Sequence, residues 1–423
     1  MRPLADRLWT RFFHAAAVFA LLPGFAAGGA LFAAAALGAP SGPQWQLDAQ
    51  GHGHAEVFGW AGMLVLGVGY HFLPRLRGTP LALPRLAAAS FSVLVVGLAA
   101  RVLLQSSPAL RISAALLPAS SAAELSGVTL ALIVLGRTFA AGPPVAARAG
   151  YAGVRPFVVV AFASLWLSLA LDLLGLLVQA GNSPNALSAW AHIASLDVAF
   201  TGFLVPIGVA MSVRTFPLYF RARLPDQRML RLGLGLSVAG LGLRLLGRLA
   251  GMPELVGVSE VAGGLALAGL AQGTMIFAAR RPAARADVRR QGADPTELLA
   301  IAAYVWLAVA ALTLGANGLG DLGILAGWGS ADAVRHALGA GYVTLLIFGV
   351  GARLLPGFAN RPLRAGRLVW ATLAFGLLAA LLRVGPRLVT VGHAEVLLAG
   401  AGLFGALAVA AFWWNVPATA RGR

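Results

Sequence analysis

The chain has 423 residues, 59% hydrophobic and only 11% charged, with a mean hydropathy of +0.81 and a formal net charge of +17. Too little polar surface remains to coat a soluble globule, so this composition excludes one and points to a membrane. The lack of cysteine excludes disulfides, thiolate metal sites and iron–sulfur clusters, and the 32 basic residues, all arginine, cluster between apolar stretches instead of forming a nucleic-acid-binding stripe.

Twelve apolar stretches follow in order, at residues 12–38, 52–75, 84–105, 111–137, 156–181, 188–216, 228–250, 254–279, 297–318, 332–355, 367–386 and 390–415. Each is close to or longer than the roughly 20 residues a helix needs to cross about 30 Å of hydrocarbon. The first reads as a spanning helix and not as a cleaved signal. An even number of helices places both termini on one side, and about 25 of the arginines fall there, against about seven opposite. The positive-inside rule makes that side the cytoplasm. The longest loop, Arg280 to Thr296, reads as a basic cytoplasmic linker suited to anionic lipid headgroups. The expected fold is all-α: a polytopic integral membrane protein with 12 transmembrane helices in a single domain, residues 1–423.

Helices 2, 6 and 10 close on related phrases: Gly67-Val68-Gly69 leading to Pro74, Gly208-Val209 leading to Pro217, and Gly349-Val350-Gly351 leading to Pro356. The prolines lie about 140 residues apart, which predicts three four-helix repeats, approximately 1–140, 141–290 and 291–423. The even-numbered helices run inward in this topology. His52 and His54 then open helix 2, His192 opens helix 6, His336 opens helix 10 and His393 opens helix 12, all in the outer part of the bilayer. His71 and His14 fall near the inner face. Gly53-His54-Ala55-Glu56-Val57 recurs as Gly392-His393-Ala394-Glu395-Val396, and helices 4 and 8 carry Glu124 and Glu260.

Ionisable groups at membrane depth are costly and normally face a bundle interior. A single embedded histidine often only bonds a neighbouring helix. Five at one depth instead point to metal or heme ligation, with a proton or substrate pathway as the alternative. His52 and His54 project about 200° apart around a helix and cannot share a pocket, whereas His52 and Glu56 can. Glu56 and Glu395 are placed to orient a ligand, carry a proton or complete a metal site.

Gly51-His52-Gly53-His54-Ala55-Glu56-Val57-Phe58-Gly59 resembles the His-x-His-Glu-x-x-Phe-Gly opening of helix 2 in the NnrS family of membrane heme proteins, which is linked to nitric oxide stress and denitrification. Arg335-His336-Ala337-Leu338-Gly339-Ala340-Gly341 resembles that family's later His-Ala-Leu-x-x-Gly segment. An alanine stands between His54 and Glu56 where the family has none. The same features look like subunit I of the heme-copper oxidases, with twelve helices in three arcs and metal-binding histidines on helices 2, 6 and 10. That resemblance implies His54 and His336 as axial ligands of a heme b, His192 at a copper position, and Arg383 and Arg387, with Arg335, beside the heme carboxylates. Helix 7 lacks the oxidases' histidine pair, and helix 6 lacks a tyrosine four residues after its histidine. A full oxygen-reducing centre is therefore not expected.

The resemblances imply a multi-pass heme protein of the bacterial cytoplasmic membrane, with copper as a second metal, concerned with nitric oxide or electron transfer. Any turnover would be that of an oxidoreductase, and the partners would be the lipid bilayer, a redox protein and a small gas such as nitric oxide. The metal ligands are expected among His52, His54, His192, His336, His393, Glu56 and Glu395. A proton- or metal-coupled transporter using the same layer is the alternative. Measuring 20 residues back from Pro74 and Pro356 lands on His54 and His336, but His192 lies 25 residues before Pro217, which narrows the strongest expectation to helices 2 and 10.

Overall fold

Proline and glycine punctuate the apolar stretches as their backbone preferences require. Pro43, Pro84, Pro253 and Pro295 occupy first-turn positions where their missing N–H is not needed. Gly78 and Gly251 end helices in the left-handed conformation, with φ of 61° and 64°. The side chains of Asp226, Asp294 and Ser330 cap helix N-termini. The computed structural model describes residues 4–39, 42–107, 115–143, 153–179, 188–282, 293–325 and 330–417.

Twelve described helices are long and apolar enough to cross a membrane: α1 (Leu8–Ala36), α2 (Pro43–Arg77), α3 (Pro84–Ser106), α4 (Leu116–Ala141), α5 (Arg155–Gln179), α6 (Ala189–Tyr219), α7 (Gln227–Ala250), α8 (Pro253–Gly273), α9 (Pro295–Asp321), α10 (Ala331–Ala359), α11 (Gly366–Leu388) and α12 (Ala394–Asn415). No strand occurs among the described residues. The helix count agrees with the hydropathy reading, and most ends fall within a few residues of it. Three differences have local causes. α2 begins at Pro43 because a polar stretch containing Gln44, Gln46, Asp48 and Gln50 continues the same helix beyond the apolar run. α8 stops at Gly273, just before Met275 turns left-handed, with φ of 59°. α12 starts only at Ala394 because His393 is itself left-handed, with φ of 55°. The predicted helix residues 111–114 and 180–181, and most of the 280–296 linker, lie outside the described residues.

α2, α6 and α10 form the centre. Their most apolar windows are 72%, 78% and 72% buried within the protein, against 33–50% for the other nine helices. His14 of α1 accepts a hydrogen bond from Trp413 of α12 (2.8 Å), so the two described chain ends meet at one face of the bundle, the terminal face. The opposite face is the distal face.

Each central helix contains a π-helical segment: Ala55–Gly62, Val198–Leu204 and Ala337–Val343. Such segments unsettle the regular backbone bonding and often accompany functional positions. Their onsets share a register. The residues immediately before them are His54, Asp197 and His336, each 20 residues ahead of Pro74, Pro217 and Pro356 respectively. The residue of α6 in register with His54 and His336 is therefore Asp197, one and a half turns beyond His192.

Candidate functional site

A cavity of about 550 Å³ lies in the distal half of the bundle, walled by α1, α2, α6, α10, α11 and α12. His52, Glu56, His192, Asp332, Arg335, His336, Arg383 and Arg387 all line it. The kink of α1 seats the α2 side of this group. Pro23 interrupts the helix, and Gly24 leaves the helical conformation (φ −80°, ψ −110°), so the Gly24 carbonyl accepts a hydrogen bond from His52 Nδ1 at 2.9 Å. Glycine is needed at both contact points. A Cβ on Gly24 would lie 2.3 Å from Glu56 Oε1, and one on Gly28 would lie 2.7 Å from the His52 ring. Glu56 Oε1 is buried with no hydrogen-bond partner among the described residues.

Across the cavity, His336 Nδ1 donates to the Asp332 carbonyl (2.9 Å), one helical turn back, and lies 3.2 Å from that residue's carboxylate. Both imidazoles are thus fixed by Nδ1–H, which leaves the Nε2 lone pair of each free in the neutral ring. The two rings are 7° from parallel, with centroids 6.5 Å apart. That separation lies at the long end of the range for offset-stacked rings. It is close to the roughly 6 Å expected for two imidazoles on opposite sides of one metal ion, given metal–nitrogen bonds of about 2 Å.

Charge collects on one rim. Arg383 grips both carboxylate oxygens of Asp332 (2.9 and 3.0 Å), and Arg387 reaches one of them at 3.1 Å. Both guanidinium groups also lie over Phe32. With Arg335, the rim holds three guanidinium groups against one carboxylate, an environment suited to an anion. His192 borders the same cavity and makes no ion pair among the described residues.

His54 faces the other way. It is 5% exposed, with Nε2 2.6 Å from Glu124 of α4 and Nδ1 3.3 Å from Asp172 of α5. Both ring nitrogens are occupied, and the residue does not border the cavity. Gly97 lets α3 close onto Glu124, since a Cβ there would sit 2.8 Å from Glu124 Cγ. Arg101 is fully buried beside the cluster and donates from Nε to Gln105, while its two terminal nitrogens have no hydrogen-bond partner among the described residues. Asp197, in the same register on α6, pairs with Arg248 (3.2 Å) and Arg244 (3.6 Å), with Glu260 4.0 Å from Arg244.

Sequence reading had singled out neither Asp172, Asp197, Arg101 nor Arg244. A signal was present, because Arg101, Arg244 and Arg383 each stand 47 residues after His54, Asp197 and His336. The repeated Gly-His-Ala-Glu-Val phrase, by contrast, occupies unlike places. His393 and Glu395 are exposed at the start of α12 and do not line the cavity. At the terminal side, His71 is buried between the rings of Trp9 and Phe358.

A second cavity of about 550 Å³ lies in the terminal half, walled by apolar side chains of α2, α4, α5, α6 and α10. The two cavities share three lining residues, Ala61, Leu204 and Val343. These stand seven residues after His54, Asp197 and His336, one on each central helix. They form a buried apolar partition.

No family model matches the chain, and no curated protein sequence matches it. Among solved structures, a heme-copper terminal oxidase determined as a dimer by cryo-electron microscopy superposes on 99% of this chain and 84% of its own, with a TM-score of 0.67 and 10% sequence identity. At that identity the likeness shows the fold.

Proposed function

We propose that the distal cavity holds a b-type heme, which His52 and His336 would ligate and whose carboxylates Arg335, Arg383 and Arg387 would face, and that the protein transfers electrons in nitrogen-oxide metabolism. The observation carrying this reading is the pair of near-parallel imidazoles 6.5 Å apart, each held by its Nδ1–H on a backbone carbonyl. The fold likeness to a heme-copper oxidase and the cavity volume, within the usual range for cofactor sites, support it. A heme with two histidine ligands supplies one-electron transfer.

The chain's own residues do the rest. The Gly24 and Asp332 carbonyls set the tautomer of each ligand, and Trp60, Phe200 and Leu398 give the cavity apolar walls. Asp332 orients His336 and both α11 arginines together. His54 is not part of this proposal, because both its nitrogens already face carboxylates. Copper is not part of this proposal, because among the described residues no group of three or more histidine and carboxylate side chains is arranged to hold a metal ion. The link to nitric oxide rests on the NnrS-like motifs around His52 and His336. The equal spacings along α2, α6 and α10 support reading the chain as three four-helix repeats. The arginine distribution supports cytoplasmic termini and a cavity near the outer surface of the bacterial cytoplasmic membrane.

The absorption spectrum of the purified protein, oxidised and reduced, tests the proposal. Sharp reduced bands of a six-coordinate heme, lost on His52→Ala or His336→Ala, are expected. A colourless protein after expression with ample heme would sink it. One observation favours the transporter as a second reading: the two cavities approach from opposite sides and share the lining residues Ala61, Leu204 and Val343. Substrate-driven ion flux in a heme-free protein would establish that reading instead.

A further inference from the structure

We propose that the terminal-side cavity seats one acyl chain of an anionic phospholipid, with the lipid phosphate held by Arg155 and Arg214. Among the described residues the cavity lining includes no acidic side chain and no histidine, and its only charged groups are those two arginines. Arg155 is the first residue of α5, and Arg214 lies in the last turns of α6; both are exposed toward the terminal face. Neither forms an ion pair among the described residues, and Arg214 instead rests over the Phe72 ring at 5.5 Å.

Length agrees with charge. Along α6 the wall runs from Leu204 to Arg214, about 15 Å at 1.5 Å per residue. That is one leaflet's share of a roughly 30 Å hydrocarbon core. The partition of Ala61, Leu204 and Val343 closes the slot at that depth, where an acyl chain ends. A neutral apolar molecule would satisfy the walls and offer the two cations no anion, and a free phosphate would satisfy the cations and leave the walls empty. A phospholipid with net negative charge satisfies both. This inference does not depend on the heme reading.

Native mass spectrometry of the purified full chain, relipidated with phosphatidylglycerol or phosphatidylcholine, tests it. Wild type should retain one phosphatidylglycerol molecule in preference to phosphatidylcholine. Arg155→Gln and Arg214→Gln should each lower that preference roughly fivefold, as expected for loss of one arginine near a lipid surface. The double change to lysine should keep it. Gly136→Trp should abolish retention, because residue 136 borders the cavity and nothing lies within 4 Å of where its Cβ would be. It serves as an independent arm should either glutamine variant fold poorly. Equal retention of both lipids by wild type, unchanged preference in the folded arginine variants, or an uncharged isoprenoid in the cavity would each overturn the proposal.

Discussion

His54 and His336 occupy the same register on two central helices, one residue before a π-helical segment and 20 before a proline, yet their surroundings are opposite. His54 is enclosed by Glu124, Asp172 and Arg101, every one of them buried. His336 has one nitrogen anchored on a carbonyl and borders the distal cavity. The difference lies in the neighbours. α4 and α5 bring carboxylates to His54, whereas the carboxylate of Asp332 is drawn onto Arg383 and Arg387 and leaves the cavity side of His336 clear. A shared register on the central helices therefore fixes where a polar group stands, and the flanking helices decide what it does.

The largest expected effect separates the two histidines outright. His336→Ala and His52→Ala should each remove the six-coordinate heme signal completely, while His54→Gln should keep it, as reduced-minus-oxidised spectra at equal protein concentration will show. Loss of heme in all three variants, with each still folded, would erase the contrast and return His54 to the ligand set.

The second effect reverses the ranking. Glu124→Gln removes one carboxylate from a fully buried cluster and leaves Arg101 and His54 undercompensated, which should cost about 3–5 kcal/mol of stability. Thermal unfolding in a fixed detergent measures this, and a drop no larger than that of a surface variant would show the cluster to be hydrated. Asp332→Asn should instead leave stability nearly unchanged but weaken heme retention about 10–100-fold, the range typical of losing a group that orients a ligand. Heme transfer to an apo-globin acceptor reads that loss.

Much of the architecture was legible in the chain. Twelve apolar stretches gave twelve helices because each is long, bounded by arginine, glycine or proline, and has no competing structure in lipid. The proline spacing located the central helices, and His52, His192, His336, Glu56 and the three arginines of the rim do meet around one cavity. What spacing could not convey was direction. His52 and His54 project to opposite sides of α2, and only the positions of α1, α4 and α5 decide which of them meets a carbonyl and which meets carboxylates. The Gly-His-Ala-Glu-Val recurrence misled for a related reason: identical residues stand inside α2 and at the frayed start of α12, where His393 ends in a left-handed conformation outside the helix. Asp197 carries no histidine signal of its own, and the histidine of α6 stands five residues earlier, out of register with His54 and His336.

The smallest expected effect probes the remaining member of the register. Asp197 is held by two arginines from one face of α7, Arg244 almost wholly buried and Arg248 about a third exposed. If the surroundings govern each polar position, these two contacts should differ in weight despite similar geometry. Arg248→Gln leaves Asp197 its buried partner and removes a contact already screened by solvent, so it should cost at most about 1 kcal/mol. Arg244→Gln leaves both Asp197 and Glu260 without their buried cation and should cost several times more. Unfolding of the two single variants and the double variant under one condition decides the matter. Equal single losses would mean that the burial of the arginine does not set the worth of its contact with Asp197.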